Sequence, residues 1–322
     1  MIRSLEISNF RGIENGKLDN FTPLVVLVGP NGCGKSTILD ALLLGASDNP
    51  PQVFYDLARK RGGLKEEHLW LLYKGGINNT SIHLNTDTTL GTRLLTLTRS
   101  NNSISLTIPD ISPSPIASVF SSGSSGSQTA PVPLEGVSSI KLLEAKNTTP
   151  EISLPELFTQ AIRQGRREEA RSMINTLVPG ACNVEVTSDQ GTPILEILYK
   201  DHSVPLTLSG DGIKTLVRLI LELISCPNGV VLVEEPELHQ HPAALLQSAK
   251  AIWAAIRRNI QVILTTHSLE LIDALMSEPK DDTELEKLTV YRLRLDEGCL
   301  KSSHTEGGDV AFLRGTFGDD LR

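Results

Sequence analysis

Hydrophobic positions along the chain repeat with two periods, and each change of period marks an element. The first residues, Ile2-Arg3-Ser4-Leu5-Glu6-Ile7, alternate. Leu24-Val25-Val26-Leu27-Val28 is an unbroken apolar run that stops at Gly29-Pro30, the pattern of a buried central strand. A helix is expected over 35–44, ending at Gly45. From 81 to 108, stretches such as Leu94-Leu95-Thr96-Leu97-Thr98 predict antiparallel hairpins with a turn near Gly91. Residues 100–128 hold eleven serines together with Pro109, Pro113 and Pro115. With so little to bury, they read as a flexible loop. Helical spacing returns over 155–177, with a break near Gly165, and strands are expected at 183–187 and 194–199. An apolar-periodic helix runs from Ile213 to Ile224. Strand 230–233, helix Pro242 to Arg258, strand 261–265 and helix Ser268 to Met276 then alternate. A hairpin over 289–304 turns at Glu297-Gly298. No internal repeat and no sustained heptad pattern occurs.

Composition narrows the classes. The 322 residues are 39% hydrophobic and 21% charged, enough apolar material for a globular core. Lys and Arg number 30 against 38 Asp and Glu, a net charge of −8, which excludes a globally basic nucleic-acid coat. A local basic stretch, Arg163, Arg166, Arg167 and Arg171, is open to two readings, a phosphate contact or a solvated face. Only 4% of residues are aromatic, which argues against rows of base-stacking platforms. No apolar run approaches the length of a membrane span, and the opening residues lack the layout of a secretory leader. Cys33, Cys182, Cys226 and Cys299 lie too far apart for a zinc knuckle or a disulfide framework. A cytoplasmic setting is expected.

Candidate chemistry sits where strands end. Gly29-Pro30-Asn31-Gly32-Cys33-Gly34-Lys35-Ser36 fits the phosphate-loop pattern between a strand and a helix. Glycines let the backbone wrap a phosphate, and N–H groups at the helix start point at it. Lys35 supplies a cation to the β- and γ-phosphates, and Ser36 a hydroxyl for Mg²⁺. Cys33, near a helix N-terminus and Lys35, is open to two readings, a redox-sensitive thiolate or a small residue that fits the loop. The second apolar strand delivers Glu234 and Glu235, suited to holding Mg²⁺ and polarising the attacking water. Glu237 is read as a surface residue. Leu208-Ser209-Gly210-Asp211-Gly212 opens a helix and forms a further anion site. Thr266-His267-Ser268 ends a strand beside a helix cap. His239 and His241 have no companion ligands, so no metal site is expected there.

Together these segments resemble the ABC-type ATPase heads of the SMC/RecF/OLD-like branch. The resemblance rests on Asn9-Phe10-Arg11-Gly12, on the loop Gly29 to Thr37, on Glu234 to Pro242, on Leu264 to Ser268, and on the ending Gly318 to Arg322. It implies a P-loop NTPase of α/β class, with a mixed central sheet, an antiparallel β subdomain and a helical subdomain. It reads 1–322 as one ATPase domain: a Walker A lobe over 1–45, β structure over about 80–110, a helical insertion over about 150–180, and a signature, Walker B and His-switch lobe over 200–322. Asn9, Arg11, Asn31, Gly32, Cys33, Gly34, Lys35, Ser36 and Thr37 would contact ATP, and Ser36 and Glu234 would hold Mg²⁺. Glu235 would be the general base and His267 the γ-phosphate sensor. Ser209, Gly210 and Gly212 would reach the nucleotide of a second head, since two heads of this family sandwich two ATPs.

Three departures from the family pattern stand out. Asp211 adds a negative charge to the signature, and Glu234 replaces the usual aspartate. No Q-loop glutamine or adenine-stacking aromatic is evident, Gln52 and Tyr55 being weak candidates. Too few residues separate the Walker A loop from the signature for SMC-type arms, and the chain ends where an OLD nuclease domain would begin. The expected function is an ATP-hydrolysing homodimeric head acting in DNA metabolism or anti-phage defence with DNA or a nuclease partner. The alternative is a nucleotide-gated scaffold for a separate effector. A transporter ATPase is the third reading, disfavoured by the same motifs.

Overall fold

The structure is a computed structural model that describes residues 1–60, 72–74, 81–100, 103–112, 114–120, 125–126, 132–144, 152–238, 240–314 and 320. A hairpin of β1 (Ile2–Phe10) and β2 (Ile13–Leu18) leads into β3 (Leu24–Val28), α1 (Lys35–Ala46) and α2 (Pro50–Lys60). Next come β4 (Ser81–Thr88), β5 (Thr92–Arg99), β6 (Ser103–Thr107), β7 (Ala117–Phe120), β8 (Ser125–Gly126) and β9 (Ile140–Glu144). Helices α3 (Leu154–Arg163) and α4 (Arg167–Leu177) precede a small sheet of β10 (Asn183–Asp189), β11 (Thr192–Leu198) and β12 (Ser203–Pro205), then α5 (Asp211–Ile224). The last third runs β13 (Val230–Glu234), α6 (Pro242–Ile256), β14 (Gln261–Thr265), α7 (Leu269–Met276), α8 (Asp282–Leu285), β15 (Leu288–Asp296), β16 (Cys299–Glu306) and α9 (Gly307–Phe312).

Among the described residues, thirteen strands join in one mixed sheet, ordered β8-β7-β6-β5-β4-β1-β2-β16-β15-β3-β14-β13-β9. Strands β15, β3, β14, β13 and β9 run parallel. The arm from β8 to β2 is antiparallel throughout. This is the mixed α/β class expected from the sequence. The apolar runs split by alternation, as a sheet covered on both faces requires. Val25, Leu27, Val230, Leu232 and Ile263 face the α1 side. Leu24, Val26, Val28, Val231, Val233, Val262 and Leu264 face a layer built from α3 to α7. There Trp253 is fully buried and donates its indole N–H to Leu275 O at 2.8 Å.

Helix α1 lies between the two arms of the sheet. It touches β9, β13 and β14 on one side and β1, β4 and β5 on the other, and all but two of its residues are buried. It does not end at Gly45 but runs on to Ala46. A Cβ on Gly45 would stand 2.4 Å from Thr86 Oγ1 of β4, so glycine permits the close crossing. Just beyond, buried Arg93 donates to Gly45 O at 3.3 Å, to Ser47 O at 2.6 Å and to Val132 O at 2.5 Å. A cation at this end complements the helix dipole. Burial lowers the Arg93 pKa to about 10.

The hairpins over 81–108 and the break at Gly165, where φ is +73°, are as expected. The loop expected over 100–128 is corrected in part. β6 and β7 extend the antiparallel arm, with Ile104 and Leu106 buried among Ser103, Ser105 and Thr107, and much of the serine tract lies outside the described residues. The ending from Gly318 also lies outside them, apart from Asp320. No helix among the described residues is long and apolar enough to cross a membrane.

Candidate functional site

Parallel pairing sets the C-terminal ends of β3, β14 and β13 side by side. That edge of a parallel sheet is where ligands bind in open α/β folds. β3 runs into the glycine loop, β14 into Thr266-His267-Ser268, and β13 into Glu234-Glu235.

The glycine loop is shaped by its backbone. Gly32 and Gly34 take left-handed conformations, at φ +79° and +99°. At Gly29, φ is +143°, and a Cβ would fall 2.5 Å from Leu293 O and 2.9 Å from Cys33 Sγ. Cys33 is 2% exposed and packs into this turn, which favours its reading as a small residue fitted to the loop. No side chain caps α1, and an early bond within it runs from the Ile38 N–H to Gly34 O at 2.9 Å. The N–H groups of Lys35, Ser36 and Thr37 therefore point out of the helix start, at the positive end of its dipole. Lys35 Nζ donates to Gly29 O at 2.8 Å and Pro30 O at 3.2 Å. Asn31 and Gly32 are exposed, Ser36 half-buried and Thr37 buried.

Asn9 and Arg11 also have left-handed backbones, at φ 60° and 52°. Their turn is held by Arg11 N–H to Leu72 O at 2.7 Å and Lys74 N–H to Asn9 O at 2.9 Å. The Arg11 guanidinium pairs with Asp40, a carboxylate 1% exposed on α1. Asp40 escaped the sequence reading. Its signal was an acid inside the apolar run Ile38 to Leu44, where a buried charge needs a partner.

Glu235 has φ +46°. Its N–H donates to Thr265 O at 3.1 Å and lies 3.2 Å from Thr265 Oγ1. Its Oε1 stands 3.8 Å from His267 Nε2. The register pairs Glu234 with Thr265 on one side and with Glu144 of β9 on the other. Glu144, another acid missed by sequence, ends an edge strand that was not expected. Glu237 is not the surface residue expected: its Oε2 is buried, and its Oε1 accepts from Thr266 and His267.

Ser209, Gly210 and Gly212 lie at the start of α5, which packs on α3, α4 and α6, and Thr207 and Asp211 beside them line one cavity with Glu144 and Glu234. The helix begins at Asp211, two residues before the expected start. Asp211 is exposed and pairs with Lys214 at 3.2 Å, which offsets the added charge. Leu208, just before, is 78% exposed. Gln52 is exposed on α2 and donates to Asp56. His241 caps α6 by accepting the Ala243 N–H, and His239 lies outside the described residues. Of the basic stretch, Arg166 pairs with Glu169, and Arg171 with Glu168 and Glu185, while Arg163 and Arg167 are exposed.

A family model described as an AAA ATPase domain matches residues 134–272, and one described as an AAA domain matches residues 4–129. The chain is 34% identical over 114 residues to the uncharacterized protein MJECL11 of Methanocaldococcus jannaschii, covering 35% of this chain and 98% of that protein. It is 24% identical to an ATP/GTP phosphatase of Helicobacter pylori, across 92% of this chain and 93% of that one. A segment of 47 residues is 45% identical to the DNA replication and repair protein RecF of Acholeplasma laidlawii, covering 15% of this chain and 14% of that protein. Among solved structures, an SMC head bound to the C-winged helix domain of ScpA shares the fold. Its TM-score is 0.58 at 14% identity, over 95% of this chain and 98% of that one.

Proposed function

We propose that the chain is an ABC-type ATPase head of the SMC/RecF family, a reading supported by the AAA-domain matches and the shared SMC-head fold, and that it binds ATP with Mg²⁺, hydrolyses it to ADP and phosphate, and closes as a homodimer around the nucleotide. The observation that supports this best is the meeting of the glycine loop, Glu234-Glu235 and His267 on one edge of the parallel sheet.

The residues suit a magnesium nucleotide. The left-handed glycines and outward N–H groups form a cradle for phosphate oxygens. Mg²⁺ is commonly bound through one or two side chains plus substrate phosphates. Ser36 and Glu234 would hold it, and when bound it neutralises charge developing on the phosphoryl oxygens.

Lys35, with Asn31, Gly32, Cys33, Gly34 and Thr37 around it, binds the β- and γ-phosphates. Asn9 and Arg11 approach the nucleotide from the β1–β2 turn, with Arg11 held by Asp40. Glu235 takes a proton from the attacking water, and His267 senses the γ-phosphate. Ser209, Gly210 and Gly212 complete the site of the facing subunit. The chain acts as one ATPase domain, of OLD-like type, in the cytoplasm, in DNA metabolism or anti-phage defence with DNA or a nuclease partner. A second reading, a nucleotide-gated scaffold for a separate effector protein, gains weight from the internal ion pairs of Arg166 and Arg171, which leave less free charge for DNA.

ATP turnover with and without linear duplex DNA separates the two. Glu235→Gln should lower turnover by roughly 10²–10⁴-fold, as loss of a general base does, while ATP stays bound. An unaltered rate would overturn the base assignment. Stimulation by DNA that disappears in an Arg163→Glu, Arg167→Glu variant supports the DNA-linked head. Turnover indifferent to DNA favours the scaffold.

A further inference from the structure

The loop after β13 carries a carboxylate with no part in the reaction above. Glu237 Oε1 accepts two hydrogen bonds, from Thr266 Oγ1 at 2.7 Å and from the His267 N–H at 2.8 Å. Thr266 has no exposed surface, and its Oγ1 also accepts the Ser268 N–H at 2.9 Å. Ser268 Oγ in turn caps α7 by accepting the Leu271 N–H at 3.0 Å. One carboxylate oxygen therefore holds the main chain from the end of β14 to the start of α7.

The other oxygen tells against a packing role. Glu237 Oε2 is buried with no hydrogen-bond partner among the described residues. Burying a carboxylate oxygen unsatisfied is costly, and a native protein that does so calls for an explanation. Position supplies one. His267 Nε2 stands 3.8 Å from Glu235 Oε1, so imidazole and carboxylate lie almost within bonding reach. Two bridges fix that separation. The Glu235 N–H ties the β13 end to Thr265, and the Glu237 side chain ties the same loop to the His267 main chain.

We infer that Glu237 is a positioning residue for His267: it clamps the His267 main chain so that the imidazole keeps its place over Glu235 and the nucleotide edge. This rests on the roles given above to Glu235 and His267, and Glu237 acts through His267.

The test is a double-mutant cycle of Glu237→Ala and His267→Ala. The readouts are kcat and KM for ATP, binding of a fluorescent ATP analogue, and thermal unfolding. Glu237→Ala should lower kcat by roughly 10- to 100-fold, the scale of a misplaced catalytic group, with KM and analogue affinity within about twofold of wild type. In the His267→Ala background it should cost nothing more, because the clamp then has nothing to place. Glu237→Gln, whose carbonyl oxygen can accept the same two bonds, should recover most of the rate.

A Glu237→Ala loss that is as large without His267 as with it would overturn the inference. So would a loss carried by KM, or wild-type turnover in Glu237→Ala where His267→Ala is slow. If His267→Ala itself turns over like wild type, the sensor role fails first and the clamp falls with it. Should Glu237→Ala not fold, Glu237→Asp replaces it. Its shorter arm should lower kcat where Gln does not, and equal rates for the two would overturn the clamp.

Discussion

Alanine at position 45 would place a methyl 2.4 Å from Thr86 Oγ1, on a residue with no exposed surface into which to swing. Overpacking of this kind costs about 1–3 kcal/mol, against about 1 kcal/mol regained from alanine's helix propensity. Gly45→Ala should therefore lower stability by about 1–2 kcal/mol in urea unfolding. Thr86 Oγ1 is itself buried without a partner, so Thr86→Ala should restore most of that loss. A Gly45→Ala chain at least as stable as wild type would contradict the crossing. Before the structure, Gly45 read as a helix stop, because glycine after a periodic run usually is one. The crossing strand that demands it is 41 residues away in sequence and leaves no local trace. The same limit hid Glu237 and Asp40, whose partners lie on other elements. The strand-end placement of Lys35, Ser36, Glu234, Glu235 and His267 was legible because each motif stands beside the strand that presents it.

Elements with two buried faces were the most legible. The apolar runs at 24–28, 230–233 and 261–265 became β3, β13 and β14 with almost unchanged ends. β9 was not seen: Ile140-Lys141-Leu142-Leu143-Glu144 is half-buried at a sheet edge, and its partner among the described residues is a strand far downstream. β7 was hidden by its serine-rich surroundings, since neighbouring β6 supplies the pairing that its own composition does not advertise. Between α6 and α8, pH gives an element-scale check. Glu284 is gripped by Arg257 through two bonds of 2.8 Å, and that contact first, with the Lys280 N–H also donating, lowers its pKa from 4.5 to about 2. The folded value lies below the unfolded one. The pair's contribution is thus present in full above pH 4.5 and is lost as pH falls from 4.5 toward 2. Unfolding free energies at neutral pH and at successive steps below 4.5 should show that loss, and Glu284→Gln should remove its share of the slope. An identical slope in the variant would show that the fork contributes nothing.

Across the whole molecule, the glycine loop opens α1 while Ser209 and Gly210 open α5, and the dimer proposed above assigns the two to different subunits. Leu208 is 78% exposed beside Ser209, and under the proposed dimer it would lie on the closing face. In the Glu235→Gln background with ATP, Leu208→Glu should shift sedimentation velocity from dimer toward monomer, with the thermal midpoint unchanged. Equal dimer content would place the interface elsewhere. The strand order also bears on how the chain is made. The partners of β3 are β14 and β15, both more than 230 residues downstream. At ribosomal speeds of roughly 5–20 residues per second, both edges of that five-residue apolar strand stay unpaired for on the order of ten seconds to a minute. The glycine loop hangs from β3, so it cannot take its final shape until β14 and β15 have left the ribosome. The nucleotide capture proposed above would then mark synthesis through β15: a nascent chain stopped short of β15 holds every residue of the loop and still lacks the frame that shapes it.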